Sequence, residues 1–251
     1  MKPAQNGTGV PRALRGTAAV VLDTDGVITD SARLHAAAWK TAFDAFLREH
    51  PPADPAQRRP FDVVEDYLRH VDGKSRLDGA AAFLASRGLR PTDADVRDVA
   101  ANKERLFTAR LREHGVDAFP GTVRLLHTLR SAGVPLAAAS ASRHARELLE
   151  RAGVLNLFDA VVDGAEAARL RLPGKPDPAL FLEAARRLGI PASRAAVVED
   201  ALAGVEAASR GGFGLVIGVD RARTPATRAE LLKHGADIVV RDLAELLAPE
   251  D

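Results

Sequence analysis

Short runs of aliphatic residues alternate along this chain with longer stretches in which apolar residues recur every three or four positions. The short runs are apolar at nearly every position, which is typical of strands covered on both faces of a parallel sheet. The longer stretches have the spacing of amphipathic helices. Strands are therefore predicted at residues 18–23, 134–140, 160–163, 195–200, 214–219 and 237–240.

Helical patterns occupy most of the connections between these strands. Each ends at a glycine, which suits a helix C-terminus. The connecting helices are predicted at residues 121–133, 142–153, 176–189 and 200–212. This alternation of strand and helix predicts an α/β fold with a doubly wound parallel sheet.

One long segment after the first strand contains helical patterns only. They cover residues 31–50, 60–71, 76–88 and 93–115, with a loop at 51–60. We therefore expect an α-helical domain inserted into the sheet domain. The predicted division is a flexible N-terminal tail (1–16), a core domain (17–31 and 117–251) and the helical insert (32–116).

Composition narrows the range of partners. Hydrophobic residues make up 46% of the chain, charged residues make up 27%, and the formal net charge is +1. These values are ordinary for a globular protein, and no basic stripe favours nucleic acid. No apolar run approaches the ~20 residues that a membrane helix needs. We expect a monomer that binds neither nucleic acid nor membrane.

The chain has no cysteine, which excludes disulfides, thiolate metal sites and a cysteine nucleophile. Its absence fits a reducing compartment. The N-terminal residues are partly basic but lack the apolar stretch of a secretory signal. These features together favour a cytoplasmic protein.

Two carboxylates follow the first predicted strand at alternate positions, Asp23 and Asp25. Alternate residues of an extended chain point the same way, so both can converge on one spot. Gly26 then allows the backbone to turn or to approach a ligand closely. Ligands of doubly wound sheets bind beyond the carboxyl ends of the strands, which is where this pair is predicted to lie.

The other predicted strands deliver complementary groups to the same edge. Ser140 and Ser142 follow the second strand, Lys175 lies on a proline-bounded loop after the third, and Glu199 and Asp200 end the fourth. Oxygen-only ligands suit a hard cation, above all Mg²⁺. With a lysine and serine hydroxyls beside the cation, the edge is predicted to hold a phosphoryl group while a carboxylate attacks it.

In this interpretation Asp23 is the nucleophile and Asp25 the general acid/base. Each residue alone also has a plainer explanation. The two aspartates could lie in a solvated turn, Glu199 and Asp200 could cap the next helix, the serines could be caps, and Lys175 could be a surface lysine. The combination favours a catalytic site, because separate strand ends all supply suitable groups.

The glycines of "GGFGLVIG" precede a strand, so they do not predict a dinucleotide loop.

The segments "DTDGVITD", "SAS", the Lys175 loop and "VVED" resemble, in order and spacing, the four signature motifs of the haloacid dehalogenase superfamily of phosphotransferases. The resemblance implies that Asp23 is phosphorylated and that Asp25 is the acid/base. It implies Mg²⁺ held by Asp23, the main-chain carbonyl of Asp25, Glu199 and Asp200. The transferring phosphate would contact Ser140, Ala141 and Lys175, and the helical insert would be the superfamily's cap.

Within the superfamily the chain is most similar to the β-phosphoglucomutases, on the stretch "DGVITDSARLHAAAWK" and on "GKSRLDG" and "NKERLF". That family interconverts β-glucose 1-phosphate and glucose 6-phosphate. The similarity implies that Arg76 grips a distal phosphate and that Lys103 faces the sugar. The full set of implied substrate-binding residues is His35, Trp39, Arg76, Lys103, Ser142 and Arg143. The chain departs from the family pattern at Arg143 and His144, where the family has a lysine and an asparagine.

The cap residues also have structural explanations. His35 could be a satisfied core histidine, Trp39 could pack the cap interior, and Lys103 could be solvated on a charged helix. A phosphatase acting on a small sugar phosphate would share every core residue and differ only in its acceptor. A haloacid dehalogenase would not need Asp25 and the metal carboxylates. A non-catalytic sensor would be expected to have lost at least one of Asp23, Asp25, Lys175 and Asp200, and all four are present.

Overall fold

The computed structural model describes residues 9–247, and within them six parallel strands form one sheet. The sheet order is β3-β2-β1-β4-β5-β6, so the connections wind outward in both directions from β1 and β4. This arrangement confirms the predicted doubly wound α/β fold. The strands are β1 (Ala19–Leu22), β2 (Leu136–Ala139), β3 (Ala160–Val162), β4 (Ala195–Glu199), β5 (Leu215–Val219) and β6 (Ile238–Val240).

The central strand β1 is paired on both sides, with Val20 opposite Leu136 of β2 and opposite Ala196 of β4. Its four residues are all fully buried, because helices cover both faces of the sheet. The carboxyl ends of β1, β2 and β4 therefore meet at one edge, at the point where the strand order changes direction.

Nine α-helices lie within the described residues. Those of the inserted segment are α1 (Ala32–Glu49), α2 (Arg76–Ser86) and α3 (Asp93–His114). Those that flank the sheet are α4 (Pro120–Ser131), α5 (Ala145–Arg151), α6 (Gly164–Leu170), α7 (Ala179–Arg187), α8 (Leu202–Arg210) and α9 (Pro225–Lys233). None of these helices is both long and apolar enough to cross a membrane.

Alternation along β1 divides the core into two layers. Val20 and Leu22 pack with Leu125 of α4 on one face, and Val21 packs with Phe181 of α7 on the other. Successive strand side chains point to opposite faces, so a nearly unbroken apolar run can fill both layers at once.

The inserted segment, residues 32–116, which we call the cap, has a separate aromatic cluster. Phe43, Phe61 and Phe83 are fully buried there, and the ring centroids of Phe43 and Phe83 lie 4.1 Å apart. Trp39 belongs to this cluster and stacks on Phe43 with ring centroids 4.7 Å apart. The cap thus has its own hydrophobic core, as expected for an inserted domain.

The helix predicted at residues 60–71 is shorter in the structure, where helical residues begin at position 65 and Tyr67–Val71 form a turn of the π type. The Asp62 carboxylate accepts hydrogen bonds from the backbone N–H groups of Val64 and Glu65, and Asp66 accepts one from the N–H of Asp62. Aspartate side chains compete in this way with the helical hydrogen-bond ladder, and here they hold a turn.

The prediction of a flexible tail at residues 1–16 does not hold for its second half. Residues Arg12–Leu14 form a 3₁₀ turn, and Leu14 is fully buried in the core layer that contains Val20. Burying one leucine side chain contributes about 1.5–3 kcal/mol, which offsets part of the entropy lost when this turn is ordered. Residues 1–8 of the predicted tail lie outside the described residues.

Candidate active site

A tight turn follows β1 and presents Asp23 and Asp25 at the carboxyl edge of the sheet. The N–H of Asp23 continues the pairing with β4 by donating to the carbonyl of Val198 at 2.9 Å. The N–H of Asp25 then donates to Oδ2 of Asp23 at 2.9 Å. The carboxylate of Asp23 and the backbone of Asp25 are thereby fixed at the point where strand geometry ends.

Gly26 shapes this turn in a way that no other residue could. Its φ of +81° lies in the left-handed region, and a Cβ there would lie 1.9 Å from Oδ2 of Asp200. Only glycine combines that backbone conformation with so close an approach. The turn after β1 and the end of β4 are therefore in direct contact.

Lys175 lies at the centre of the cluster, with its side chain fully buried. Its Nζ donates to Oδ1 of Asp23 and to Oε1 of Glu199, each at 2.6 Å. Burial alone would lower the pKa of Lys175, but the two carboxylates raise it above its ordinary value. The lysine is therefore a buried ammonium group, and the plainer explanation of a surface lysine is excluded.

Glu199 is held rigidly by the start of the next helix. Its Oε2 accepts hydrogen bonds from the N–H groups of Asp200 and Ala201, at 2.6 and 2.7 Å. Helix α8 begins at Leu202, and no side chain caps it. Glu199 and Asp200 are therefore not a helix cap, which was the plainer explanation of this pair.

The carboxylates of Asp23, Glu199 and Asp200 form a group that could hold a metal ion. One oxygen from each lies within 4.8 Å of the others. Burial and the neighbouring carboxylates raise the pKa of both Asp23 and Asp200, with Lys175 partly opposing the effect at Asp23. Three crowded oxygen ligands of like charge fit a hard divalent cation, which would offset their repulsion.

Gly204 in α8 gives Glu199 its space, because a Cβ at Gly204 would lie 1.6 Å from Oε1 of Glu199. Gly204→Ala is expected to lower the free energy of unfolding by about 1–3 kcal/mol and to weaken Mg²⁺ binding, since the buried carboxylate has to move. Chemical denaturation and titration calorimetry with Mg²⁺ measure the two effects. Gly9→Ala is the control, because a Cβ there meets nothing within 4 Å. Unchanged Mg²⁺ affinity in Gly204→Ala would contradict a metal-binding role for Glu199.

Asp25 accepts three side-chain hydrogen bonds. The donors are Ser31 Oγ at 2.5 Å, His35 Nε2 at 3.1 Å and Ser140 Oγ at 3.2 Å. Burial alone would raise the pKa of Asp25, but His35 and the hydrogen bond from Ser31 hold it below its ordinary value. Asp25 is therefore a carboxylate at neutral pH and can accept a proton.

A short chain of buried groups orients Asp25 from the cap. Lys103 Nζ lies 2.7 Å from Nδ1 of His35, whose Nε2 faces Asp25. An ammonium group only donates, so Nδ1 accepts and Nε2 carries the proton that is donated to Asp25. Burial lowers the pKa of Lys103 to about 8 and also lowers that of His35. Lys103 is only 4% exposed, so it is not the solvated lysine that its charged helix suggested.

The serines after β2 shape the loop beside this pair. Ser140 Oγ accepts from the N–H of Ser142 at 3.0 Å, and Ser142 Oγ accepts from the N–H of His144 at 3.2 Å. Ser140 is buried, and its hydroxyl donates to Asp25. The loop therefore carries polar groups next to the acid/base candidate.

A cavity of about 250 Å³ lies between the core and the cap. On the cap side Trp39 and Arg76 face it, and Arg76 is paired with Glu104 at 2.6 Å. The predicted site residues that line it are Asp23, Asp25, His35, Trp39, Arg76, Lys103, Ser140, Ala141, Ser142, Arg143, Lys175 and Asp200. Glu199 is fully buried behind Lys175 and does not line the cavity. The structure thus brings the predicted residues together around one space.

Sequence reasoning missed several cap residues that line the same cavity, among them Tyr67, Asp72 and Glu104. Burial and the charge of Glu199 raise the pKa of Asp72 to about 7. The loop of Asp72 reaches the core at Gly73, where a Cβ would lie 2.8 Å from Cβ of Ala201. The glycine in "VDGK" was the available signal, but its turn alone does not indicate which surface it contacts.

Comparison with known proteins agrees with this geometry. The model of the haloacid dehalogenase-like hydrolase family matches residues 17–212. A β-phosphoglucomutase of Mycobacterium bovis is 40% identical over 248 residues, covering 95% of this chain and 94% of that protein. A phosphorylated carbohydrates phosphatase of Thermotoga maritima is 28% identical over 204 residues, covering 80% of this chain and 84% of that protein.

Among solved structures, a hydrolase from Pseudomonas syringae superposes with a TM-score of 0.74 at 27% identity. The match covers 92% of this chain and 96% of the hydrolase. The motifs, the fold and these relatives agree, and the chain belongs to the haloacid dehalogenase superfamily, in which it is β-phosphoglucomutase-like.

Proposed function

We propose that this protein is a Mg²⁺-dependent phosphotransferase that works through a phosphorylated Asp23 and interconverts β-glucose 1-phosphate and glucose 6-phosphate. The observation that carries the proposal is the placement of Asp25. This carboxylate is ionised, oriented by His35, and linked to Asp23 through the N–H of Asp25. A nucleophile beside a ready proton acceptor is what transfer to a sugar hydroxyl requires.

The core residues divide the chemistry among them. In the forward direction phosphate leaves Asp23 as the acyl-phosphate P–O bond breaks, and the sugar 6-hydroxyl oxygen forms the new bond to phosphorus. Asp25 takes the hydroxyl proton. In the second half-reaction the P–O1 bond breaks, Asp23 forms the new bond to phosphorus, and Asp25 returns the proton to O1.

Lys175 and the Ser140–Ala141 segment would hold the transferring phosphate oxygens, and this role is supported by their position in the lining of the cavity that Asp23 also lines. Mg²⁺ would be held by Asp23, Glu199, Asp200 and the main-chain carbonyl of Asp25. When bound, it supplies positive charge that offsets the negative charge of the phosphoryl group and the carboxylates.

A mutase that handles a bisphosphate needs a second phosphate site, which the cap would supply. A hexose bisphosphate has two anionic ends, and Arg76 lines the cavity from the cap while Lys175 lines it from the core. Arginine suits a phosphate because its guanidinium group donates two parallel hydrogen bonds. Closure of the cap over the cavity would also exclude water, which otherwise hydrolyses an acyl phosphate.

A phosphatase acting on small sugar phosphates is the second candidate. The Thermotoga maritima relative is a phosphatase by name, and its similarity extends over 80% of this chain. In that case water would take the place of the sugar hydroxyl, and Asp25 would activate it. The core residues serve both reactions equally, so the acceptor decides between them.

Product analysis separates the two candidates. The protein is incubated with Mg²⁺, β-glucose 1-phosphate and a trace of the 1,6-bisphosphate, and the products are followed by ³¹P NMR. Formation of glucose 6-phosphate without free phosphate would support the mutase. Free phosphate as the main product would overturn it in favour of the phosphatase. A parallel reaction with EDTA tests the metal, because removal of Mg²⁺ is expected to stop either reaction.

Arg76→Ala is expected to lower kcat/KM for the mutase reaction by about 10²-fold, since one charge-assisted phosphate contact is lost. Hydrolysis of p-nitrophenyl phosphate, which has a single phosphate for the core site, should change little. Arg90→Ala is the matched control, because Arg90 is an exposed cap arginine outside the cavity. Equal losses in the two reactions of Arg76→Ala would argue against a phosphate site in the cap.

A further inference from the structure

Glu104 on cap helix α3 connects two cations that belong to different parts of the molecule. Its Oε2 lies 2.6 Å from a guanidinium nitrogen of Arg76 in the cap, and its Oε1 lies 2.6 Å from Nε2 of His144 in the core. His144 is the residue that precedes α5. Cap and core are thus joined by one carboxylate, at the edge of the cavity that Arg76 faces.

The geometry identifies His144 as an imidazolium group. While Nε2 faces Glu104, Nδ1 lies 3.2 Å from Oε2 of Glu147 on its own helix. Only the doubly protonated ring has an N–H for each carboxylate, because neutral histidine donates from one nitrogen. In agreement, the hydrogen bond to Glu104 raises the pKa of His144 above its ordinary value.

Glu104 is a carboxylate in this arrangement. Burial alone would raise the pKa of Glu104, but His144, Arg76 and Lys103 lower it to about 2. Several charged and titratable groups surround His144. From the cap they are Glu104, Arg76, Lys103 and His35, and from α5 they are Glu147 and its partner Arg151. His35 takes part in neither of the hydrogen bonds that join His144 to Glu104 and Glu147. The His144 ring also packs against Phe107 of α3, with centroids 5.2 Å apart.

We propose that Glu104 is a positioning residue that pairs with Arg76 in the cap and with His144 in the core, so that closing the cap on the core fixes the arginine at the cavity. One carboxylate oxygen of Glu104 pairs with Arg76, and the other pairs with His144. The remaining N–H groups of the Arg76 guanidinium are then available to an anion. The nature of that anion, a distal phosphate of the substrate, rests on the proposed function. The link between cap and core does not.

The link carries a pH dependence with a definite sign. Because the pKa of His144 is raised in the closed form, the contribution of the link is fully present in mildly acidic solution, where His144 is protonated and Glu104 is ionised. It is lost as the pH rises through that raised pKa, since neutral His144 can no longer donate to both Glu104 and Glu147. The closed population is therefore expected to fall as the solution becomes more alkaline.

The absence of cysteine allows a direct measurement, because two introduced cysteines are the only thiols in the chain. Spin labels at Asp98→Cys in the cap and His127→Cys in the core, both exposed positions, report cap closure by electron–electron double resonance. Glu104→Gln and His144→Asn are each expected to lower the closed-to-open ratio at pH 6 by about tenfold, the effect of losing one charge-assisted hydrogen bond. Glu113→Gln, an exposed carboxylate on the same helix, is the matched control and should change nothing.

Two outcomes would overturn the proposal. One is an unchanged label distance distribution in both variants at pH 6. The other is a His144→Asn variant whose closed population still falls with pH as steeply as that of the unsubstituted protein. Titration of Lys103 or His35 would then be responsible, since both remain in that variant.

Kinetic measurements distinguish a role of Glu104 and His144 in positioning Arg76 from a purely structural role. Both variants should raise KM for β-glucose 1-phosphate by a larger factor than KM for p-nitrophenyl phosphate, because that ester has no second phosphate for Arg76 to hold. Parallel loss of both activities would overturn the positioning role. If the unsubstituted protein yields only free phosphate, the mutase proposal fails, but the label distances still test the link between Glu104 and His144.

Discussion

Asp23→Asn is expected to abolish phosphoryl transfer, with a loss of about 10⁴-fold or more, while the protein stays folded. The amide has no negative charge with which to attack phosphorus, so the covalent intermediate cannot form. The side chain keeps its shape, and Lys175 retains its second partner Glu199 at 2.6 Å. Intact-mass spectrometry after incubation with substrate measures the intermediate as one added phosphate.

Asp30→Asn is the control for this experiment, since Asp30 lies in the same region but pairs with Arg33. It should keep both turnover and the added mass. Circular dichroism of the Asp23→Asn variant checks that the loss is chemical. Detectable phosphorylation of a folded Asp23→Asn protein would mean that another group is the nucleophile, and the proposed mechanism would be abandoned.

Asp25→Ala is expected to lower kcat for the sugar phosphate by about 10²–10⁴-fold, the usual contribution of general acid/base catalysis. Asp25 is the only carboxylate that accepts from both His35 and Ser140 among the hydrogen bonds of the described residues. Without it, neither the attacking hydroxyl nor the leaving sugar oxygen has a group for its proton. Steady-state kinetics with β-glucose 1-phosphate measure this loss.

The choice of leaving group sharpens the test of Asp25. Phosphorylation of Asp23 by p-nitrophenyl phosphate needs little protonation, because p-nitrophenolate is a good leaving group. The Asp25→Ala variant should therefore still form the phosphorylated protein from this donor, and then fail to pass the phosphate on. A near-normal rate with the sugar phosphate would remove the acid/base role from Asp25. Failure to react with either donor would indicate that Asp25 mainly supports the metal site.

The sequence was sufficient for the sheet and for the composition of the core site. The strands could be predicted because they are buried on both faces, so their apolar runs are unbroken. The groups around Asp23 could be predicted because parallel strands place their carboxyl ends at one edge, wherever the intervening residues go. The predicted helix began too early, at residue 60, because Asp62 and Asp66 bind backbone N–H groups locally, an effect that hydrophobic periodicity does not register.

The cap side of the site was less predictable. Sequence similarity suggested a sugar-facing role for Lys103, which does line the cavity, but it did not indicate that Lys103 contacts His35, and through His35 Asp25. Glu104 and His144 lie 40 positions apart on different domains of the predicted division, and nothing in either segment indicates that they meet. Contacts of this kind depend on how the cap docks, which is set by surface shape across the whole interface.

The amino-acid sequence determined which chemical groups this protein brings to the edge of its sheet. Its buried apolar runs form parallel strands, and the carboxyl ends of neighbouring parallel strands lie at the same edge. Tertiary structure alone decided how those groups are paired and charged. Lys175 became a buried ammonium group between Asp23 and Glu199, Asp25 stayed ionised, and Glu104 paired with both Arg76 and His144. The reason is that protonation and pairing depend on distance and on exclusion of water, and both arise only when remote segments close around the same space.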